Sequence, residues 1–305
     1  MAGRSPAKMT GIFLVLLASA LWGASGPLTK ILKASGADIL DILSWRYLIG
    51  LASLWAFVRT CRRDRPVALE GRIFRTALPM AVVMLAVNGT FILSNFYTTV
   101  ANAIALSFTA PVFAALLAWL FLKERIRPLH QLAAVGGIAG VCVMVLHRPP
   151  APGEASGLSP DLSLGNALAL VSGAVFGGYF VLARKFATHE AEVVTATLWQ
   201  FLLLAVILAP VTVFTVVRGI SGVSYLYLGV FGVLCTAAPI LLINLSALFL
   251  KAHEISIVAL SEVPFSIFLG MLLVGEYPSP VSWMGVVLIV SAAFLVGLKE
   301  ARQPL

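Results

Sequence analysis

The sequence predicts an all-α integral membrane protein: ten transmembrane helices built as two inverted five-helix repeats. Three observations carry this expectation. Apolar runs of membrane-spanning length recur along the whole chain. Basic residues gather in alternate gaps between those runs. The two halves match each other at an offset of about 154 residues.

Composition sets the solvent. Hydrophobic residues make up 60% of the 305, and charged residues only 11%. A soluble domain carries roughly 45–50% apolar and about 25% charged residues. Mean hydropathy is +1.00. So much apolar surface needs a bilayer around it. The net charge of +8 in a soluble chain points to nucleic acid. Here the basic residues sit in short gaps between apolar runs, as in loops beside anionic headgroups, so nucleic acid is not an expected partner. Cys61, Cys142 and Cys235 are odd in number and widely spaced, which argues against a disulfide framework or a zinc site.

A spanning helix needs about 20 mostly apolar residues. The runs place spans at approximately 10–30, 41–58, 74–96, 102–122, 128–146, 164–184, 192–216, 224–248, 255–275 and 280–298. The first follows Arg4 and Lys8 and is too long for a cleavable signal segment. The runs are continuously apolar, whereas barrel strands alternate, and backbone groups in lipid must be satisfied within their own segment; helices follow. With a cytoplasmic N-terminus, only Lys30, Lys33, Arg46, Arg148 and Arg218 among the 21 basic residues fall outside or in an outer half-span. That bias places both termini in the cytoplasm of a bacterial inner membrane.

The first span reads Gly11-IFLVLLASAL-Trp22-Gly23 and the sixth Gly165-NALALVSGAV-Phe176-Gly177. Ala110-Pro111-Val112-Phe113 matches Val263-Pro264-Phe265, and Leu120-Phe-Leu-Lys-Glu124 matches Leu272-Leu-Val-Gly-Glu276. The organisation is a first repeat over 1–148, a Pro-rich linker over 149–163, and a second repeat over 164–305. Five spans per half insert the second copy from the opposite side, a plan that places a transporter's site between the halves.

Several pieces resemble the drug/metabolite transporter superfamily, in its ten-helix EamA-type exporter branch. They are Ala20-Leu-Trp-Gly-Ala-Ser25, Trp45-Arg46-Tyr47, Tyr97-Thr-Thr-Val-Ala-Asn-Ala-Ile-Ala-Leu106 leading to Pro111, Leu120-Phe-Leu-Lys-Glu-Arg125, and Glu262-Val-Pro264 with Gly275-Glu276. The resemblance covers about 10–298 and extends to bacterial exporters of aromatic amino acids. It implies a substrate cavity between the halves, transport without ATP and a carrier working as a monomer.

Ionisable and polar groups at membrane depth are the candidates for substrate contact. Glu262 precedes Pro264 by two residues, with Ser261 beside it. Pro264 removes a backbone donor, so free carbonyls and a carboxylate fit an ammonium or an exchangeable proton. A helix-end carboxylate facing water is the competing reading. Asn88 and Asn95 lie on one helical face, and Asn244 lies in the other half. They fit either a zwitterion or interhelical glue. Trp22, Phe176 and Tyr179 occupy repeat-related positions and suit either stacking on an aromatic substrate or core packing. Pro111 and Pro264 are the expected hinges. Arg46 is expected to snorkel or to pair with Asp38 or Asp41.

No Walker-type phosphate loop and no HExxH occur, and His130, His147, His189 and His253 lack metal-ligand spacing. No catalytic residue, metal or cofactor is expected, and the chain is not expected to be an enzyme. The expected function is export of small metabolites, amino acids foremost, by alternating access. Export of a purine, a sugar derivative or a lipophilic cation, an intramembrane lipid-modifying enzyme, and a channel are the rivals.

Overall fold

The computed structural model describes residues 6–61, 71–97, 100–124, 126–146, 162–275 and 280–300. All the regular structure they form is helical. The elements are α1 (Pro6–Gly23), α2 (Ser25–Ala34), α3 (Ile39–Cys61), α4 (Gly71–Tyr97), α5 (Val100–Ser107), α6 (Ala110–Leu122), α7 (Pro128–Leu146), α8 (Leu162–Phe186), α9 (Glu190–Ile207) and α10 (Ala209–Arg218). After α11 (Gly222–Gly232) comes a π-helical turn (Val233–Ala237), then α12 (Ala238–Ser246), α13 (Ala252–Ala259), α14 (Glu262–Val274) and α15 (Pro280–Glu300). The linker expected over 149–163 lies outside the described residues up to position 161.

Among the described residues, seven helical segments are long and apolar enough to cross a membrane. Shorter apolar helices include Ala110–Leu122 and Ala209–Arg218. Several expected spans are broken, and the breaks have a common cause. The helices are interrupted at Thr109, Leu208 and Ser261, and Pro111, Pro210 and Pro264 follow within three residues. Proline has no N–H to give and a φ suited to a first helical turn, so a helix restarts on it. The break at Ala24 precedes Pro27, and the π-helical turn ends just before Pro239. Pro79 sits inside an unbroken α4.

The outer faces are apolar: Phe121 is 67% exposed and Val217 81%. In water this surface would be costly; lipid is its natural solvent. The inner core joins both halves of the sequence, with Val15, Tyr47, Ala114, Tyr179, Phe201 and Ile255 all buried in one cluster. Helix α13 is buried along its whole length. Helix α7 packs on α15, with backbone in near contact: a Cβ on Gly140 would lie 2.7 Å from the Gly285 carbonyl.

Each end of the bundle is tied by charge. At one end Arg218, closing α10, donates to Asp38 (3.0 Å) and to Asp41 (2.5 Å) in the turn before and the start of α3. Ser221 and Ser224 bond Ser35 alongside them. At the other end Glu124, just after α6, meets Arg184 of α8 (3.7 Å) and His253 of α13 (3.3 Å), while Arg184 donates to the Ala247 carbonyl.

The Ile39 amide and then the Arg218 guanidinium hold the Asp38 carboxyl below its ordinary value of 3.8. A depressed folded value means the contribution is present above the unfolded value and lost as pH falls through the folded one. The thermal midpoint of an Asp38→Asn variant should therefore lose part of the parent's acid sensitivity below about pH 4. The effect is small because the side chain is half exposed. Equal acid sensitivity in parent and variant would count against this tie.

Candidate functional site

The site is built where α1, α3, α4, α8, α9, α12 and α14 approach one another. Gly23 and Gly177, repeat-related in the sequence, bring two of these helices into backbone contact with their neighbours. A Cβ on Gly177 would lie 2.6 Å from the Ala114 amide nitrogen, and one on Gly23 would lie 2.8 Å from that of Ser266. Helix α8 is thereby pressed on α6, and α1 on α14, just beyond the two broken helix junctions.

The preceding aromatic residues then meet in the centre. Trp22 and Phe176 stack edge to face at 6.1 Å. Tyr47 and Phe201 do the same at 5.8 Å. In each pair the partners are separated by about 154 residues, the repeat offset. Residues that correspond in sequence therefore touch in space. Phe176 continues to Phe180 at 4.7 Å and to Tyr179 at 6.5 Å.

Two polar networks flank these rings. In the second half the donors form one directed chain. Gln200 Nε2 donates to the Tyr179 hydroxyl (3.2 Å), which donates to Asn244 Oδ1 (3.0 Å). Asn244 Nδ2 donates to Thr197 Oγ1 (2.9 Å), whose hydroxyl donates to the Val193 carbonyl (2.8 Å). In the first half Asn88 Nδ2 donates to the Tyr47 hydroxyl and to the Met84 carbonyl, both at 2.8 Å. Both networks fasten neighbouring helices through buried tyrosines, where a partnerless polar group would be costly.

Arg46 behaves differently. Its Nη1 reaches Asn88 Oδ1 only at 3.5 Å, the outer limit for such a bond. Its Nε is buried without an acceptor among the described residues. The guanidinium lies over the rings of Tyr47 (5.2 Å) and Phe231 (5.6 Å), a cation–π setting. The expected pairing with Asp38 or Asp41 does not occur, because Arg218 reaches both from the next turn of the bundle. No carboxylate among the described residues pairs with Arg46.

Glu262 opens α14 and is partly buried, with no hydrogen bond or ion pair among the described residues. Ser261 beside it is buried, and its hydroxyl has no partner there. Glu262 and Arg46 are thus two ionisable side chains without an ion-pair partner among the described residues.

The structure groups Trp22, Phe176, Tyr179 and Asn244 and places Asn88 beside Arg46. It sets Ser261 and Glu262 at the break before Pro264, and Pro111 just after the matching break. The polar atoms of Tyr179 and Asn244 are engaged with protein. The side chain of Asn95 and all of Glu276 lie outside the described residues. Sequence reasoning gave Arg46 a structural role; its depth in α3 was the available signal.

The chain matches the profile of the EamA-like transporter family twice, over residues 9–146 and 163–298. It is 24% identical over 300 residues to YwfM, an uncharacterized transporter of Bacillus subtilis, covering 95% of this chain and 94% of that one. It is 26% identical to YicL, an uncharacterized inner membrane transporter of Salmonella typhimurium, over 96% of this chain and 97% of that protein. A riboflavin transporter of Rhizobium johnstonii is 30% identical over 66% of this chain and 63% of its own length. A protein solved by crystallography shares the fold, with a TM-score of 0.76 at 18% identity over 98% of this chain and 99% of that one.

Proposed function

The chain belongs to the EamA-like transporter family, and from that premise we propose that it is a secondary carrier exporting amino acids, aromatic or large apolar ones first, by alternating access. The observation that carries the substrate class is that Arg46 and Glu262 each lack an ion-pair partner among the described residues. A zwitterion supplies the two charges they lack, a carboxylate for the guanidinium and an ammonium for Glu262. Asn88 and Ser261 add hydrogen bonds at either end. Trp22 and Phe176 form an apolar wall for the substrate side chain, with Tyr179 and Asn244 holding that wall in place.

In this reading the broken and unbroken segments make ten passes in two inverted halves, and the carrier works as a monomer. Support comes from the two family matches and from the pairs Trp22–Phe176 and Tyr47–Phe201. An axis relating two halves brings a residue near it against its own counterpart. The basic loops put both termini in the cytoplasm of an inner membrane. The Glu124 cluster then closes the cytoplasmic end and the Arg218 cluster the outer end. The breaks before Pro111 and Pro264 are the hinges about which the halves exchange access.

Proteoliposomes loaded with radiolabelled amino acids test this proposal. Saturable efflux of aromatic amino acids above the rate from empty liposomes is the expected result, and Glu262→Gln should slow it or change its response to a pH gradient at unchanged protein level. Transport by Glu262→Gln identical to the parent at every pH would remove Glu262 from the mechanism. No efflux of any amino acid would end the substrate assignment.

A second reading, a flat uncharged heterocycle, is favoured by the Trp22–Phe176 pair and by the riboflavin transporter among the relatives. Competition settles between them: riboflavin should not slow amino acid efflux if the charged pair selects the substrate.

A further inference from the structure

At the Glu124 end of the bundle the fold collects a further cluster of metal-ligating side chains. His130, His253 and Glu254 are buried, and their ligating atoms lie within 4.8 Å of one another. His130 is in the first turns of α7, while His253 and Glu254 open α13. The two imidazole rings meet edge to face at 5.0 Å.

The protonation pattern prepares the cluster for a cation. His253 Nδ1 lies 3.3 Å from Glu124 Oε2. A carboxylate only accepts, so Nδ1 carries the proton. Nε2, on the other side of the ring, is buried with no hydrogen-bond partner among the described residues. A buried ring nitrogen without a partner is costly, and a cation at Nε2 would supply one. A carboxylate that grips one imidazole nitrogen and leaves the other free is the second-shell arrangement of metal-bound histidines. Glu254 Oε2 accepts from the Lys251 amide (2.9 Å), which anchors the start of α13.

We propose that His130, His253 and Glu254 bind a divalent first-row transition ion, zinc first, with Glu124 positioning His253. Two imidazoles and one carboxylate suit zinc and its neighbours and leave a fourth position for water. The ligands come from α7 in the first half of the chain and α13 in the second, so the ion staples the halves at this end. On the carrier reading above, a stapled end slows the exchange of access. Binding itself does not depend on that reading and is measured without transport.

Full-length protein, purified in detergent and stripped with a chelator, is titrated with Co²⁺ alone and followed by visible absorption, then with Zn²⁺ as competitor. One equivalent should bind, with a spectrum free of thiolate charge transfer, and Zn²⁺ should displace it and raise the melting midpoint. His130→Ala and His253→Ala should each weaken binding at least tenfold, and Glu124→Gln about 10- to 100-fold. Absence of one-equivalent binding overturns the site. So does a thiolate spectrum, or unchanged affinity in both histidine variants. Should the histidine variants not fold, the parent's spectrum and Zn²⁺-dependent melting shift decide alone.

Discussion

A Gly177→Ala variant is expected to lose most of its folded protein, while Gly178→Ala, one residue further along α8, folds at least as well as the parent. A methyl at 177 would lie 2.6 Å from the Ala114 nitrogen and 2.8 Å from the Ala110 carbonyl oxygen. These are backbone atoms of α6, so no rotamer change relieves the overlap; the helix must move. Overpacking of side chains costs about 1–3 kcal/mol, and a whole-helix shift sits at the top of that range. A methyl at 178 meets only Leu117 Cδ1 at 3.7 Å, ordinary contact, and gains about 1 kcal/mol of helix propensity. Gly23→Ala should repeat the loss, since its methyl would lie 2.8 Å from Ser266 N and 2.9 Å from the Phe265 carbonyl carbon. The yield of monodisperse protein and its melting midpoint read both outcomes. A Gly177→Ala protein as stable as the parent would show that α6 and α8 are not in backbone contact.

The Trp22-Gly23 and Phe176-Gly177 pairs mark what the sequence made legible. Their common spacing predicted that the halves correspond, and the structure adds that the corresponding rings touch. Long apolar runs predicted helices because a bilayer leaves the backbone no other partner. They did not show that α5 stops at Ser107 or α13 at Ala259, because a run that is apolar on all sides carries no periodic signal at a break. Only the prolines hinted at it. The partners of Arg46 were equally hidden. Asp38 and Asp41 are near it in sequence, but five to eight residues along a chain that turns at Asp38 lead to a different depth, and Arg218 arrives from the other half. His130 and His253 escaped a search for metal-ligand spacing for the same reason: such motifs record ligands on one helix or loop, and these two meet only across the fold.

Arg46→Gln is the variant with the largest expected effect on transport. An arginine at membrane depth is costly, and here the Tyr47 and Phe231 rings and one long bond to Asn88 offset part of that cost. The buried Nε has no acceptor among the described residues. A carboxylate arriving at the guanidinium supplies it. Hydrogen bonds to charged groups contribute about 1.5–3 kcal/mol, so Arg46→Gln should lower efflux of an amino acid roughly 10- to 100-fold at low substrate concentration, mainly through KM. Arg46→Lys keeps the charge but loses the planar fork, and should fall between the two. The decisive comparison uses an amino acid amide, which has the same side chain and ammonium but no carboxylate. The parent should move it poorly, and Arg46→Gln should move it no worse than the parent does. If Arg46→Gln slows the amide as much as the acid, the arginine acts on the bundle and not on the substrate. The Tyr47–Asn88 network would then be the place to look for the damage, because Asn88 Oδ1 loses its donor when the guanidinium is removed.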